Sequence, residues 1–248
     1  MDAFAALIED LDQSTGTKRK IDLIAGHLQQ SDAHDAAWSV LLLMGERRKR
    51  LITGRRLRDI LQQASAMPDW LFDDCQSHVG DSAETLSLLW PQLKHDIGGH
   101  IHNPDVTIWI NQLNHSPPMH WWMEQLLPAV AAMEAEEQSS AVLAIWEALP
   151  HDRLFLFNKL LTGGFRIGVA RGLVVKAIAS GFDLEEALVL ERLMTPGVAS
   201  AQWFRSLTAM AREERTNRGP VPYPFFLASP LKQETIEITP ASEWWVEN

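Results

Sequence analysis

Residues Leu156–Ala179, LFNKLLTGGFRIGVARGLVVKAIA, read as two apolar helices hinged on glycine. Apolar side chains recur at helical spacing on both sides of Thr162-Gly163-Gly164, and a further glycine, Gly168, opens the second run. Thr162 is expected to cap the second of the two helices. Gly163 and Gly164 permit positive φ and close approach of a partner to the backbone. A turn of this kind directs free N–H groups and a helix N-terminus outward, which suits an anion. It lacks the Gly-Lys-Ser/Thr ending of a nucleotide phosphate loop and comes after a helix, not a strand. On these residues alone, a bare helix–helix turn and an anion site are equally good readings.

The rest of the chain extends the helical pattern. Phe4, Leu7, Ile8 and Leu11 show the 3/4 spacing, as do Ile21, Ile24, Ala25 and Leu28. An apolar helix is expected over Ala36–Met44. Thr53 or Gly54 starts a helix carrying Leu57, Ile60 and Leu61, and Pro68-Asp69-Trp70 opens another. Asp81–Trp90 is expected as a helix that Pro91 ends. Asp81 is expected to cap it and Glu84 to close a capping box. Residues 92–118 are rich in Gly, Asn, His and Pro and read as a mobile loop. Helices resume over Met119–Met133, Ser139–Leu149, His151–Leu161, Gly168–Ser180, Leu184–Arg192 and Ala201–Arg215. Thr216–Pro224 is a Gly/Pro linker, and residues 234–247 are the only strand-like stretch. The expectation is an all-α fold: one multi-helix domain over 1–215 with two pseudo-similar halves, then an extended tail over 216–248. The halves are suggested by a shared outline in LLLMGERRKRLITGRRLRDIL and KLLTGGFRIGVARGLVVKAI: apolar helix, glycine turn, basic residues, helix.

Composition bounds the function. The 248 residues carry a net charge of −10 and a single cysteine, Cys75, which excludes an internal disulfide and a Cys-rich zinc site. No apolar run approaches the roughly 18 residues of a membrane helix, and MDAFAALIEDLDQ is too acidic for a signal peptide. A cytoplasmic monomer is expected. The charge is patchy: ERRKRLITGRRLRD (Glu46–Asp59) holds seven cations against two acids. Because salt screens charge beyond about 8–10 Å, such a patch acts locally on an acidic body. Composition is equally compatible with a solvated helix end.

Other constellations point elsewhere or nowhere. His95, His100, His102, His115 and His120 lack ordered spacing and a cysteine partner, so no metal site is assigned. Cys75 falls in an apolar helix pattern. Trp38, Trp70, Trp146 and Trp203 fall on apolar faces and are expected in the core, while one of the adjacent Trp121 and Trp122 is expected to face outward.

Three motifs carry a resemblance. Lys159, Leu160, Gly163, Arg166, Ile167 and Gly168 match a Lys-Leu-x-x-Gly-x-x-Arg-Ile-Gly pattern. VGDSAETLSLL (Val79–Leu89) matches a Gly-Asp-x-x-Glu helix start. PYPFFLASPL (Pro222–Leu231) comes next in the same order. The chain resembles the N-terminal DNA-binding domain of ATP-dependent DNA ligases, most closely the bacterial branch. The resemblance implies sequence-independent binding of nicked duplex DNA through the minor groove and phosphate backbone, serving repair, replication or recombination. The DNA-binding residues it points to are Gly163, Gly164, Phe165, Arg166, Ile167, Gly168 and Lys159, with Arg47, Arg48, Lys49, Arg50, Thr53 and Arg55 of the basic run and the backbone of Gly80. Such contacts position a duplex without reading its bases, which suits an enzyme that meets nicks in any sequence.

The ligase family forms a lysyl-adenylate on a Lys-x-Asp-Gly lysine, a motif that occurs nowhere in these residues. In the family the Pro-Phe-Phe-Leu-Ala-like segment is succeeded closely by Glu-x-Lys, and Glu247 stands where that glutamate is expected. The chain is therefore expected to be a piece of a larger ligase, without a catalytic residue or cofactor of its own and inactive alone. ATP and Mg are expected for the parent, whose catalytic domains would be partners of this one. A helical-repeat scaffold for protein partners and a helical repair enzyme with a base pocket are the competing classes.

Overall fold

The computed structural model describes residues 1–45, 50–93, 104–163, 169–194 and 197–210. The chain divides into two units, Met1–Arg212 and Glu213–Asn248. The first holds all of the described residues; the expected linker and strand-like tail lie outside them.

Every regular element among the described residues is helical: α1 (Asp2–Gln13), α2 (Thr17–Gln30), α3 (Ala33–Leu43), α4 (Gly54–Ser65), α5 (Asp69–Val79), α6 (Ser82–Leu93) and α7 (Pro104–Leu113). A continuous helical run comes next, made of α8 (Met119–Trp121), a π-helical turn (Trp122–Leu126) and α9 (Leu127–Ala132). Then come α10 (Ala135–Ala148), α11 (His151–Thr162), α12 (Arg171–Phe182), α13 (Glu186–Met194) and α14 (Ala201–Thr208). The all-α expectation holds.

Local chemistry sets the ends. Asp32, Thr53 and Ser200 each accept a backbone N–H from the first turn of the adjoining helix, at 2.8, 3.0 and 3.1 Å. Gly80 and Gly163 close α5 and α11 in the left-handed conformation, with φ of 82° and 66°.

Helix α11 buries half of its twelve residues. Leu154, Leu156, Phe157, Leu160 and Leu161 are buried and pack towards α6, α1 and α9. Fully burying one such side chain stabilises by about 1.5–3 kcal/mol. Asn158 is wholly buried there and its Oδ1 accepts the Trp146 Nε1–H at 2.8 Å. Trp90 meets Trp146 edge-on at 5.3 Å, and Trp122 meets Phe157 at 6.2 Å. Across the domain α12 lies on α2, where an added Cβ at Gly181 would come within 3.2 Å of Ala25 Cβ.

Several expectations are corrected. Residues 92–118 are not all loop: α7 occupies Pro104–Leu113, with Val106 and Leu113 buried and Trp109 against the core. Its 3/4 apolar spacing is flanked by the Gly, Asn and Pro residues that dominate the local composition. Pro91 does not end α6, which runs to Leu93. So near the C-terminus, proline removes one hydrogen bond without breaking a long helix. Helix α10 starts at Ala135, earlier than expected, and α12 and α13 start slightly later. Trp70 is exposed, at 69%, because it sits in the first turn of α5 on the side away from Phe72. Trp121 and Trp122 are both buried, since the wider π turn and apolar neighbours cover adjacent positions. Thr162 is not the cap of α12, whose N-cap position is Ala170; its hydroxyl donates back to the Asn158 carbonyl at 2.9 Å.

Candidate functional site

Three turns that are distant in sequence meet at one place. The first is the start of α4. Thr53 Oγ1 accepts the Arg56 N–H, which leaves the earlier N–H groups of this helix without an intrahelical partner. Thr53 and Arg55 are exposed. The second is the Gly80 turn between α5 and α6, exposed and left-handed. The third is the Gly163 turn at the end of α11.

Backbone contacts join them. The Leu51 and Ile52 N–H groups both donate to the Leu161 carbonyl at 3.0 Å, tying the approach to α4 onto the last turn of α11. Gly54 lies so near the start of α6 that an added Cβ would stand 3.6 Å from Ser82 Cβ. Asp81 and Lys159 complete the ring with an ion pair between α6 and α11. Leu161 to Leu51 and Ile52, then Gly54 to Ser82, then Asp81 to Lys159, the contacts return to the helix where they began.

Each charged group has a definite task. Asp81 caps α6 as expected, accepting the Glu84 N–H at 3.0 Å through Oδ1 while Oδ2 takes the Lys159 ammonium. Burial alone would push its carboxyl up; Lys159 and the N–H groups of Glu84 and Ala83 hold it below the ordinary range. The Lys159 side chain is only 13% exposed and its ammonium lies 5.5 Å from the Phe155 ring centre. Arg56 reaches the start of α10, donating to the Ala135 carbonyl, to Ser139 Oγ at 2.8 Å and to Gln138 Oε1 at 3.3 Å. Arg58 pairs with Asp73 and Asp69 and lies over the Phe72 ring. Arg50 and Arg55 are the cations of this run that stand exposed among the described residues.

A cleft of about 460 Å³ beside Arg55 lies between α4, α5 and the start of α6, lined in part by Arg58, Asp59, Asp69 and Asp73. Gly54 and Arg55 also line it, and two of its carboxylates, Asp69 and Asp73, are the ones that pair with Arg58.

The structure thus brings together Lys159, Gly163, Thr53, Arg55 and Gly80. Gly164, Phe165, Arg166, Ile167 and Gly168, and with them Arg47, Arg48 and Lys49, lie outside the described residues. So do His95, His100 and His102. His120 bonds Asp35 through Nδ1 at 2.7 Å, and its ring stacks on His34 at 4.5 Å. His34 in turn meets Glu124, 2.6 Å away. No group of metal-binding residues assembles among the described residues. Sequence reasoning misses the Leu161 carbonyl, whose role depends on backbone geometry alone. It also misses the pairing of Arg56, which is set by the arrival of α10.

No helix among the described residues is long and apolar enough to cross a membrane. Comparison with known proteins gives one family: the family model described as DNA ligase N terminus matches residues 1–179. No curated protein matches the chain.

Proposed function

The chain belongs to the DNA ligase N-terminal family, and on that premise we propose that it binds nicked duplex DNA without reading its sequence. The surface is the ridge formed by the start of α4, the Gly80 turn and the Gly163 turn, and the motif residues Gly164–Gly168, next in sequence, are assigned to the same contact. Free N–H groups at Gly54 and Arg55, aided by the helix dipole, receive one phosphate strand. Gly163–Gly168 meets the other rail of the minor groove, with Arg166 reaching along it. Arg47, Arg48, Lys49, Arg50 and Arg55 add charge around the ridge. Backbone contacts of this sort fix register and orientation and carry no base information. Widening the groove at a nick would cost a few kcal/mol of elastic energy, offset by those contacts. Residues 1–248 contain no Lys-x-Asp-Gly motif, so no adenylation step is assigned to them. ATP, Mg and strand joining belong to catalytic domains of a larger ligase, with repair, replication and recombination as its settings.

The observation that carries this reading is the closure of the three turns into one ridge by the Leu161 carbonyl and the Gly54–Ser82 approach. Fluorescence anisotropy with a nicked duplex tests it. Arg55→Glu and Arg166→Glu should each weaken binding by roughly tenfold and flatten the salt dependence by about one counterion. Wild-type affinity in both variants, with unchanged thermal melts, would remove the ridge as the site. A wild-type chain that ignores DNA at low salt would favour the protein-interaction scaffold.

A further inference from the structure

We infer that Asp81 and Lys159 form a positioning clamp, setting the spacing of the Gly80 and Gly163 turns so that Lys159 serves the interface through Asp81 and not by touching phosphate. The inference rests on the reading of the ridge as a DNA surface and assigns the family-motif lysine a role within it.

Three observations lead there. The Lys159 ammonium is already engaged by Asp81 Oδ2, with the Phe155 ring beside it and only 13% of its side chain exposed. A phosphate would have to draw it away and leave a partly buried carboxylate unpaired, which is costly. The partners also stand close to the two left-handed glycines: Asp81 directly succeeds Gly80, and Lys159 precedes Gly163 by one helical turn. Between Lys159 and Gly163 lies Leu161, whose carbonyl holds Leu51 and Ile52. Fixing Lys159 against α6 therefore fixes the α4 start as well. Finally, an acid beside a polyanion weakens binding by simple Coulomb repulsion. Asp81 stands beside the ridge despite that repulsion, and its two oxygens are spent on the α6 N-terminus and on Lys159.

The clamp makes a prediction whose sign is opposite to that of electrostatics. Asp81→Asn removes a negative charge from a DNA-binding surface and should nevertheless weaken binding to nicked duplex, roughly fivefold. Lys159→Met should weaken it by a similar factor while leaving the slope of log K against log salt unchanged, because no phosphate contact is lost. The double variant should bind no worse than either single one, and Lys159→Arg should restore binding. Asp81→Ser, which keeps a capping oxygen, replaces Asp81→Asn should that variant unfold. Tighter binding by Asp81→Asn, or a slope reduced by about 0.9 in Lys159→Met, would overturn the clamp and make Lys159 a direct phosphate ligand. Hydrogen exchange tests the clamp without DNA. The Leu51 and Ile52 amides should exchange faster in Asp81→Asn than in wild type; equal rates would refute it. A wild-type chain that does not bind DNA would refute the proposed function, while the exchange rates still decide the clamp.

Discussion

His27 shows what burial does to a single titratable side chain. It sits under the Phe4 ring, its Nε2 2.9 Å from Ser39 Oγ. Burial first, and then the Met1 amino group, lower its pKa from 6.5 to about 4, against a weaker opposing pull from Asp35. The unfolded chain takes up a proton near pH 6.5, whereas the folded chain resists until about pH 4. The stability that depends on neutral His27 is therefore complete above pH 6.5 and is lost as pH falls from 6.5 towards 4. Between pH 7 and pH 5 the loss should be about 2 kcal/mol, read as a lower urea midpoint. His27→Gln should flatten that dependence; a variant with the wild-type pH profile would assign the titration to another group. At this scale the sequence is informative wherever a residue acts on its own helix. The Asp81 cap and the positive φ at Gly163 are local consequences of residue type. The Lys159–Asp81 pair spans 78 positions and Arg56–Ser139 spans 83. Nothing in a linear pattern distinguishes a cation aimed at phosphate from one aimed at a distant carboxylate or carbonyl, so Arg56 and Arg58 read as part of a basic run although the fold uses both internally.

Among elements, helix starts are more legible than helix interiors. Thr53 is one of two candidate starts for α4, and the structure selects it because its hydroxyl accepts the Arg56 N–H while Gly54 takes the first helical position. Thr53→Ala should destabilise by about 1 kcal/mol, a fall of about 2–4 °C in Tm for a domain of this size. Thr53→Ser should retain the cap; a calorimetric Tm equal to wild type for Thr53→Ala would show that water satisfies the α4 start equally well. The interiors that escape sequence reasoning share a cause. In α7, Val106, Trp109 and Leu113 keep the apolar period amid residues that favour turns. In the π turn, a wider helical repeat puts Trp121 and Trp122 both inside. Pro91 is tolerated within three residues of the end of α6. Composition averages hide such cases, because burial against neighbouring helices outweighs local preference. Of the two glycine turns that suggest an internal repeat, the leading glycines lie among the described residues: Gly45 after α3 and Gly163 after α11 each have φ of 66°.

For the whole molecule, net charge and binding pull in opposite directions. A body at −10 repels a polyanion at long range. At physiological salt, charges separated by more than about 8 Å are largely screened, so the proposed ridge would act with its own local field. The acids within α10 and α13, including Glu136, Glu137, Glu186 and Glu191, then matter chiefly at low ionic strength, where they oppose the approach of DNA. Two consequences can be measured together. Affinity for nicked duplex should fall with rising salt, with a slope of about −0.9 for each phosphate neutralised. Below roughly 20 mM salt the Debye length exceeds about 20 Å and the line should bend, as the acidic body begins to count. Affinity should also be nearly the same for unrelated duplex sequences, because phosphate and backbone N–H contacts are shared by all of them. A titration series over salt on two duplexes of opposite base composition separates the possibilities. Parallel lines with a common low-salt bend support a backbone-gripping ridge on an acidic domain, whereas a large offset between the two duplexes would require base contacts that the Thr53, Gly80 and Gly163 turns do not provide.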